Sequence, residues 1–242
     1  MAGLSGRNSQ EPSVKNSFLK VIGVKARQLL NSVRKELQPL NEEILNHPFI
    51  AEALEGKLPV EIFKELARQQ YYIVYHDAKS LAQMASRATN LEELEFFSML
   101  FQGDLQALRN LLKLAQALGL TIPELEAAQP IPEAVAYTHF LSWLSLHANP
   151  GEQAFAMVVN LPVWGENCSK LSKALKENYN IKETSFFDAF SGPFTALEEA
   201  ALKVIEPYAE VGRFKPIALL IQRYEYLFWE ALYRKSQALK QG

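Results

Sequence analysis

Apolar residues recur with the period of an α-helix along almost the whole chain, and convincing strand alternation and hairpin dipeptides are absent. From Pro59 to Ala88 they fall at Ile62, Phe63, Leu66, Ile73, Val74, Leu81 and Ala85, a pattern that lines one face of a helix. Pro59 suits the first helical turn, where its missing N–H costs nothing. Asn90 followed by Glu93 has the form of a cap and capping box for a helix running to about Leu118, where Gly119 supplies the stop. Thr121 and Glu124 repeat the capping pattern. The same period predicts helices over roughly 15–37, 40–54, 132–148, 151–178, 183–190, 194–210 and 214–238. Pro162 lies inside one of these stretches. It either kinks that helix, as in helices that line bundle cavities, or marks a boundary between two helices.

The expected fold class is therefore all-α, a multi-helix bundle with short connections and an internal pocket. Residues 1–13 have no apolar run and read as a disordered tail, which leaves 14–242 as a single helical domain. A net charge of −2 gives no reason to expect nucleic acid or an anionic membrane as a partner. No stretch approaches the roughly 18–20 uncharged apolar residues of a membrane span. A lone cysteine, Cys168, cannot form an internal disulfide and suits a reducing compartment, the cytoplasm.

Several chemistries lack their local signatures. There is no glycine-rich phosphate loop, no Gly-x-Ser-x-Gly elbow and no Cys-x-x-Cys. None of the four histidines, His47, His76, His139 and His147, sits in a Glu-x-x-His or His-x-x-x-His arrangement, the spacing that would gather metal ligands on one helical face. No metal and no cofactor are expected on these grounds. Glu225 is the sharpest single residue, set in Tyr224-Glu225-Tyr226-Leu227-Phe228-Trp229. Phe228 and Trp229 share its side of a helix, so its carboxyl must be paired, hydrogen-bonded or protonated. It is either a proton-transfer group in a cavity or a structural glutamate bonded to a neighbouring helix. Gln69, Tyr72, His76 and Gln83 share one helical face, which is either a pocket wall or a solvated side. Glu166 is either a pocket carboxylate or the partner of Lys170 four residues on. Cys168 has no neighbouring base, and an inert buried thiol is its plainer reading.

Taken together, His47-Pro48-Phe49-Ile50, Gly56-x-Leu58-Pro59, Gln69-Gln70-Tyr71-Tyr72, Ala136-Tyr137-Thr138, Leu161-Pro162 and Tyr224-Glu225-Tyr226-x-Phe228-Trp229 with Tyr233-Arg234 resemble, in order and spacing, the TenA (thiaminase type II) family and its PqqC-like and CADD-like relatives. The resemblance spans roughly 40–238 and implies the heme-oxygenase-like helical fold. It further implies a small-molecule ligand bound inside the bundle, and a homo-oligomer, dimer or tetramer. Active TenA enzymes hydrolyse an aminopyrimidine related to thiamin. Carried over by position, the resemblance points to Glu225 as the catalytic carboxyl. As ligand-binding positions it points to Gln69, Tyr72, His76, Tyr137, Val163, Glu166, Asn167, Phe190 and Phe228.

The chain departs from that pattern at decisive places. The family's aspartate before the tyrosine pair is matched by Gln69, and its catalytic cysteine after Leu-Pro by Val163. Two pocket tyrosines are matched by Asn167 and Phe190. The regions matching the oxidase branch's iron ligands, around Glu95 to Arg109 and Phe190 to Leu197, contain no histidine. For PqqC-like chemistry only His76 and Lys79 stand as candidates. The expected function is binding of a small aromatic heterocycle, with metal-independent hydrolysis or oxidation through Glu225. The alternatives are a non-catalytic binder and an interaction protein with a filled core.

Overall fold

The computed structural model describes residues 24–241, so the expected tail at 1–13 and the start of the first predicted helix lie outside the described residues. Among those residues there is no strand. The helices are α1 (Val24–Leu45), α2 (Pro48–Leu54), α3 (Glu61–Ser86), α4 (Leu91–Ala117), α5 (Ile122–Glu126), α6 (Pro132–His147), α7 (Pro150–Asn178), α8 (Ser185–Asp188), α9 (Thr195–Ile205) and α10 (Phe214–Gln241), with a 3-10 turn at Glu206–Tyr208. The all-α expectation holds. No described helix is long and apolar enough to cross a membrane.

Local chemistry sets most of the helix ends. Asn90 Oδ1 accepts a hydrogen bond from Glu93 N at 2.9 Å and starts α4. Gly119, at φ 77°, ends it in the left-handed region that favours glycine. A reciprocal box that sequence reading passed over starts α7. Asn149 Oδ1 accepts from Glu152 N at 2.9 Å, and Glu152 Oε2 accepts from Asn149 N at 3.0 Å. The other Glu152 oxygen accepts from Arg213 N at 2.6 Å and ties this end of α7 to the chain entering α10.

Two prolines lie inside continuous helices. The stretches predicted at 15–37 and 40–54 divide at Asn46–His47 instead, because α1 continues through Pro39. Leu37, Leu40 and Ile44 stay on one buried face, and the carbonyl that Pro39 deprives, that of Lys35, sits on an exposed turn that water can serve. Pro162 is not a boundary either, since α7 runs unbroken through it. The carbonyl it leaves without an N–H is that of Val158, which Arg34 Nη2 serves at 2.7 Å from α1. The Arg34 Nη1 also meets Glu198 of α9 at 2.7 Å. Arg34→Met should therefore cost about 1–2 kcal/mol. The cost should shrink in a Pro162→Ala background, where residue 162 regains its N–H. Urea denaturation of the double-mutant cycle measures this, and equal costs in both backgrounds would refute the account.

The core is continuous through the bundle, with Trp229, Phe49, Phe63, Phe96, Phe97 and Phe155 almost entirely sealed. Helix α3 packs on α4 and α6, while α10 packs on α6, α7 and α1. Their inner faces leave room for a cavity.

Candidate functional site

A cavity of about 370 Å³ lies between α3, α4, α6, α7, α10 and the segment from Ala189 to Leu197. Helix α10 carries Glu225 and Phe228 to its wall. Glu225 is 3% exposed. Its Oε2 accepts from Asn160 Nδ2 at 2.5 Å and its Oε1 from the Trp229 indole at 3.3 Å. Burial pushes its pKa up to about 8, against the opposing pull of the Trp229 and Asn160 hydrogen bonds. At neutral pH the group is thus mainly the acid. Asn160 is itself held, since it also donates to Gln222 Oε1 at 2.9 Å, and Gln222 Nε2 donates to Asn41 Oδ1 at 2.6 Å.

The rest of the lining is mostly aliphatic, with an aromatic cluster on one side and two further acids. Trp164 stacks on Trp229 with ring centroids 5.3 Å apart and meets Phe228 and Phe190 edge-on at 5.8 and 6.0 Å. Gly165 lets the Phe190–Phe194 segment lie directly against α7. A Cβ there would come within 2.3 Å of the Phe190 carbonyl and 2.7 Å of the Phe194 ring. Asp77 of α3 and Asp104 of α4 also line the cavity. Burial pushes Asp77 up to about 7, opposed by the Thr138 hydroxyl. Burial, and then the Asp77 charge, push Asp104 well above the usual carboxylate range. Tyr137 of α6 is raised by burial first and then by Asp77, Asp104 and Glu225, so all three carboxyls act on its hydroxyl.

Four of the residues expected from sequence, Glu225, Tyr137, Phe190 and Phe228, meet in this lining. The others are placed elsewhere. Gln69 is buried but holds the chain entering α6: its Nε2 donates to Glu65 at 2.7 Å and to the Gln129 carbonyl at 3.0 Å, and its Oε1 accepts from Ile131 N at 2.9 Å. Tyr72 bonds through its hydroxyl to exposed His139 at 3.1 Å, and the His76 ring lies against it with centroids 4.2 Å apart. The inward face of α3 is Gln70, Ile73, Val74, Asp77 and Leu81. The expected face is one residue out of register, a rotation of about 100°. Val163 is buried outside the lining, on the turn beside Asn160 and Trp164, which do line it. Glu166 is exposed and pairs with Lys170 at 2.9 Å. Asn167 donates to the Ile44 carbonyl at 3.2 Å and secures the end of α1. Cys168 is fully buried, and burial, then Glu225 and Asp188, push its thiol pKa well up, away from the reactive thiolate.

Sequence reading missed Gln70, Asp77, Asp104, Asn160 and Trp164. One signal for Asp77 was present: it falls four residues after Ile73 and four before Leu81, inside the apolar stripe. The lining contains no histidine, cysteine, lysine or arginine. Nor do the described residues include any group of three or more His, Cys, Asp or Glu side chains able to hold a metal. This donor set does not fit the histidine-rich iron site of the oxidase branch.

The sequence profile of the TENA/THI-4/PQQC family matches residues 34–235. The aminopyrimidine aminohydrolase of Halalkalibacterium halodurans is 24% identical over 217 residues, covering 84% of this chain and 95% of that protein. Among solved structures, the TenA homologue from P. horikoshii OT3 superposes with a TM-score of 0.72 at 22% identity, over 85% of this chain and 98% of its own. A domain of unknown function with a heme oxygenase-like fold from Shewanella denitrificans OS217 does so with a TM-score of 0.69 at 20% identity, over 88% and 95%.

Proposed function

This chain belongs to the TENA/THI-4/PQQC family, and from that premise we propose that it binds a small aromatic heterocycle inside the bundle, with Glu225 as the group that shares or transfers a proton to a ring nitrogen. The observation that carries this reading is an almost fully buried carboxyl, mainly protonated at neutral pH, on the wall of an apolar cavity beside an aromatic cluster. With Oε2 receiving the Asn160 amide, the acid proton is available to a bound base. Trp164, Phe190 and Phe228 provide faces for a flat ring. The aminohydrolase relative makes an aminopyrimidine the natural first probe.

A lining without cysteine, serine or histidine favours a second reading, a binder without turnover. In the hydrolytic reading water attacks the ring carbon, the C–N bond to the amino group breaks, Glu225 gives its proton to the departing amine and the water's proton returns to Glu225.

Titration calorimetry with 4-aminopyrimidine, together with an ammonia assay, separates these outcomes. Binding with ammonia release supports the hydrolase, and binding without it supports the binder. Glu225→Gln should weaken binding about tenfold or more, equivalent to about 1.4 kcal/mol. It should also abolish any release. Undiminished release by Glu225→Gln would remove Glu225 from the chemistry, and absence of binding to the wild type would count against the heterocycle reading.

A further inference from the structure

The cavity contains a second acidic feature that the proposed role of Glu225 does not use. Asp77 and Asp104 enter from neighbouring helices, α3 and α4, and both line the same space. Asp77 is only 8% exposed, and its Oδ1 accepts no hydrogen bond from any side chain or backbone group. A buried carboxylate oxygen in that state is costly unless something supplies a donor. The groups facing it offer little. Thr138 offers the carboxyl a single hydroxyl, Asp104 is another acid, and Tyr137 is a neutral phenol. No lysine, arginine or histidine lines the cavity. A charged donor for that oxygen can come only from what fills the space.

We propose that Asp77 and Asp104 form an anionic subsite for the ammonium or amidinium group of an organic cation whose aromatic body lies against Trp164 and Phe228. The inference rests on the reading that the cavity binds a small aromatic molecule, and adds the charge that molecule carries. A cation donates to the bare Asp77 oxygen and relieves the repulsion between the two carboxyls. In the empty cavity that repulsion is relieved by a retained proton, so a cation arriving at the pair displaces a proton to solvent. A neutral ligand makes no such exchange. An anion meets two like charges in a site of low dielectric and is rejected.

Three probes of nearly one shape test this: benzamidine is a cation, benzamide is neutral and benzoate an anion. Calorimetry on the full chain should show benzamidine binding about tenfold or more tightly than benzamide, with benzoate weakest. The benzamidine heat should differ between phosphate and Tris buffers at neutral pH, reporting proton release, and the benzamide heat should not. Asp77→Asn and Asp104→Asn should each lower the preference for benzamidine over benzamide to about threefold or less. The wild-type charge series stands alone if either variant fails to fold. Equal binding of benzamidine and benzamide would overturn the cation subsite and leave the pocket reading intact. A preference that survives both substitutions would overturn the assignment to this pair. Binding of none of the three would overturn both readings.

Discussion

Moving from pH 6.5 to pH 8 should destabilise the wild-type protein by about 1.5 kcal/mol more than it destabilises Glu225→Gln. The sign follows from where the proton sits. Unfolding returns the Glu225 carboxyl from about 8 to its ordinary value of 4.5. Between those values the folded chain keeps a proton that the unfolded chain has lost. The stability this contributes is complete below 4.5 and is lost as pH rises through about 8. Over pH 5–8 the same group accounts for a change on the order of 3 kcal/mol. His47 acts in the opposite direction, because burial, against the pull of Glu230, lowers its pKa. It therefore raises stability with pH up to its ordinary value of 6.5. Above 6.5 the unfolded imidazole loses its remaining charge, a small contribution shared by both proteins that cancels in their difference. Asp77 adds to the fall in both proteins, which is why the difference between them is the diagnostic quantity. Urea denaturation at the two pH values gives it directly. Parallel losses in wild type and variant would show that Glu225 is not held protonated by the fold.

Trp229→Ala should cost about 3–5 kcal/mol, the largest single loss expected in this chain. Trp229 is fully buried, with its ring centroid 5.3 Å from Trp164, 5.7 Å from Phe49 and 4.8 Å from Phe228. Removing it opens a void where α10 meets α2 and α7 and leaves the cavity's aromatic wall without backing. Trp229→Phe separates packing from polarity. It keeps most of the ring contacts but loses the indole hydrogen bond to Glu225, one of the two that hold its pKa down. The fall in stability with pH should then end at a higher pH than in the wild type. Thermal and urea melts across pH check both claims. A loss below about 1 kcal/mol in Trp229→Ala would mean that the aromatic cluster is not the keystone of this interface.

How much of this was legible in the chain depends on the range of the physics involved. Helix content and most helix ends are local. Caps such as Asn90 with Glu93 and the stop at Gly119 act within one turn, so the residues determine them before any packing occurs. Glu225 was legible for the same reason: a carboxyl beside Phe228 and Trp229 on one helical face has few places to go. Only tertiary structure decided which side of α3 faces the cavity. Gln69 and Gln70 are both buried, and one residue turns the face by about 100°, less than the width of the apolar stripe. Pairing Asp77 with Asp104 required α3 and α4 to pack, since their closeness is a property of two helices and of neither alone. Pro162 was ambiguous because its cost depends on whether its orphaned carbonyl finds a donor. That donor, Arg34, is far away in sequence and is brought within 2.7 Å only by the fold. The helices are thus written locally. The cavity's chemistry is written in which helical faces meet, where a shift of one residue exchanges His76 for the buried acid Asp77.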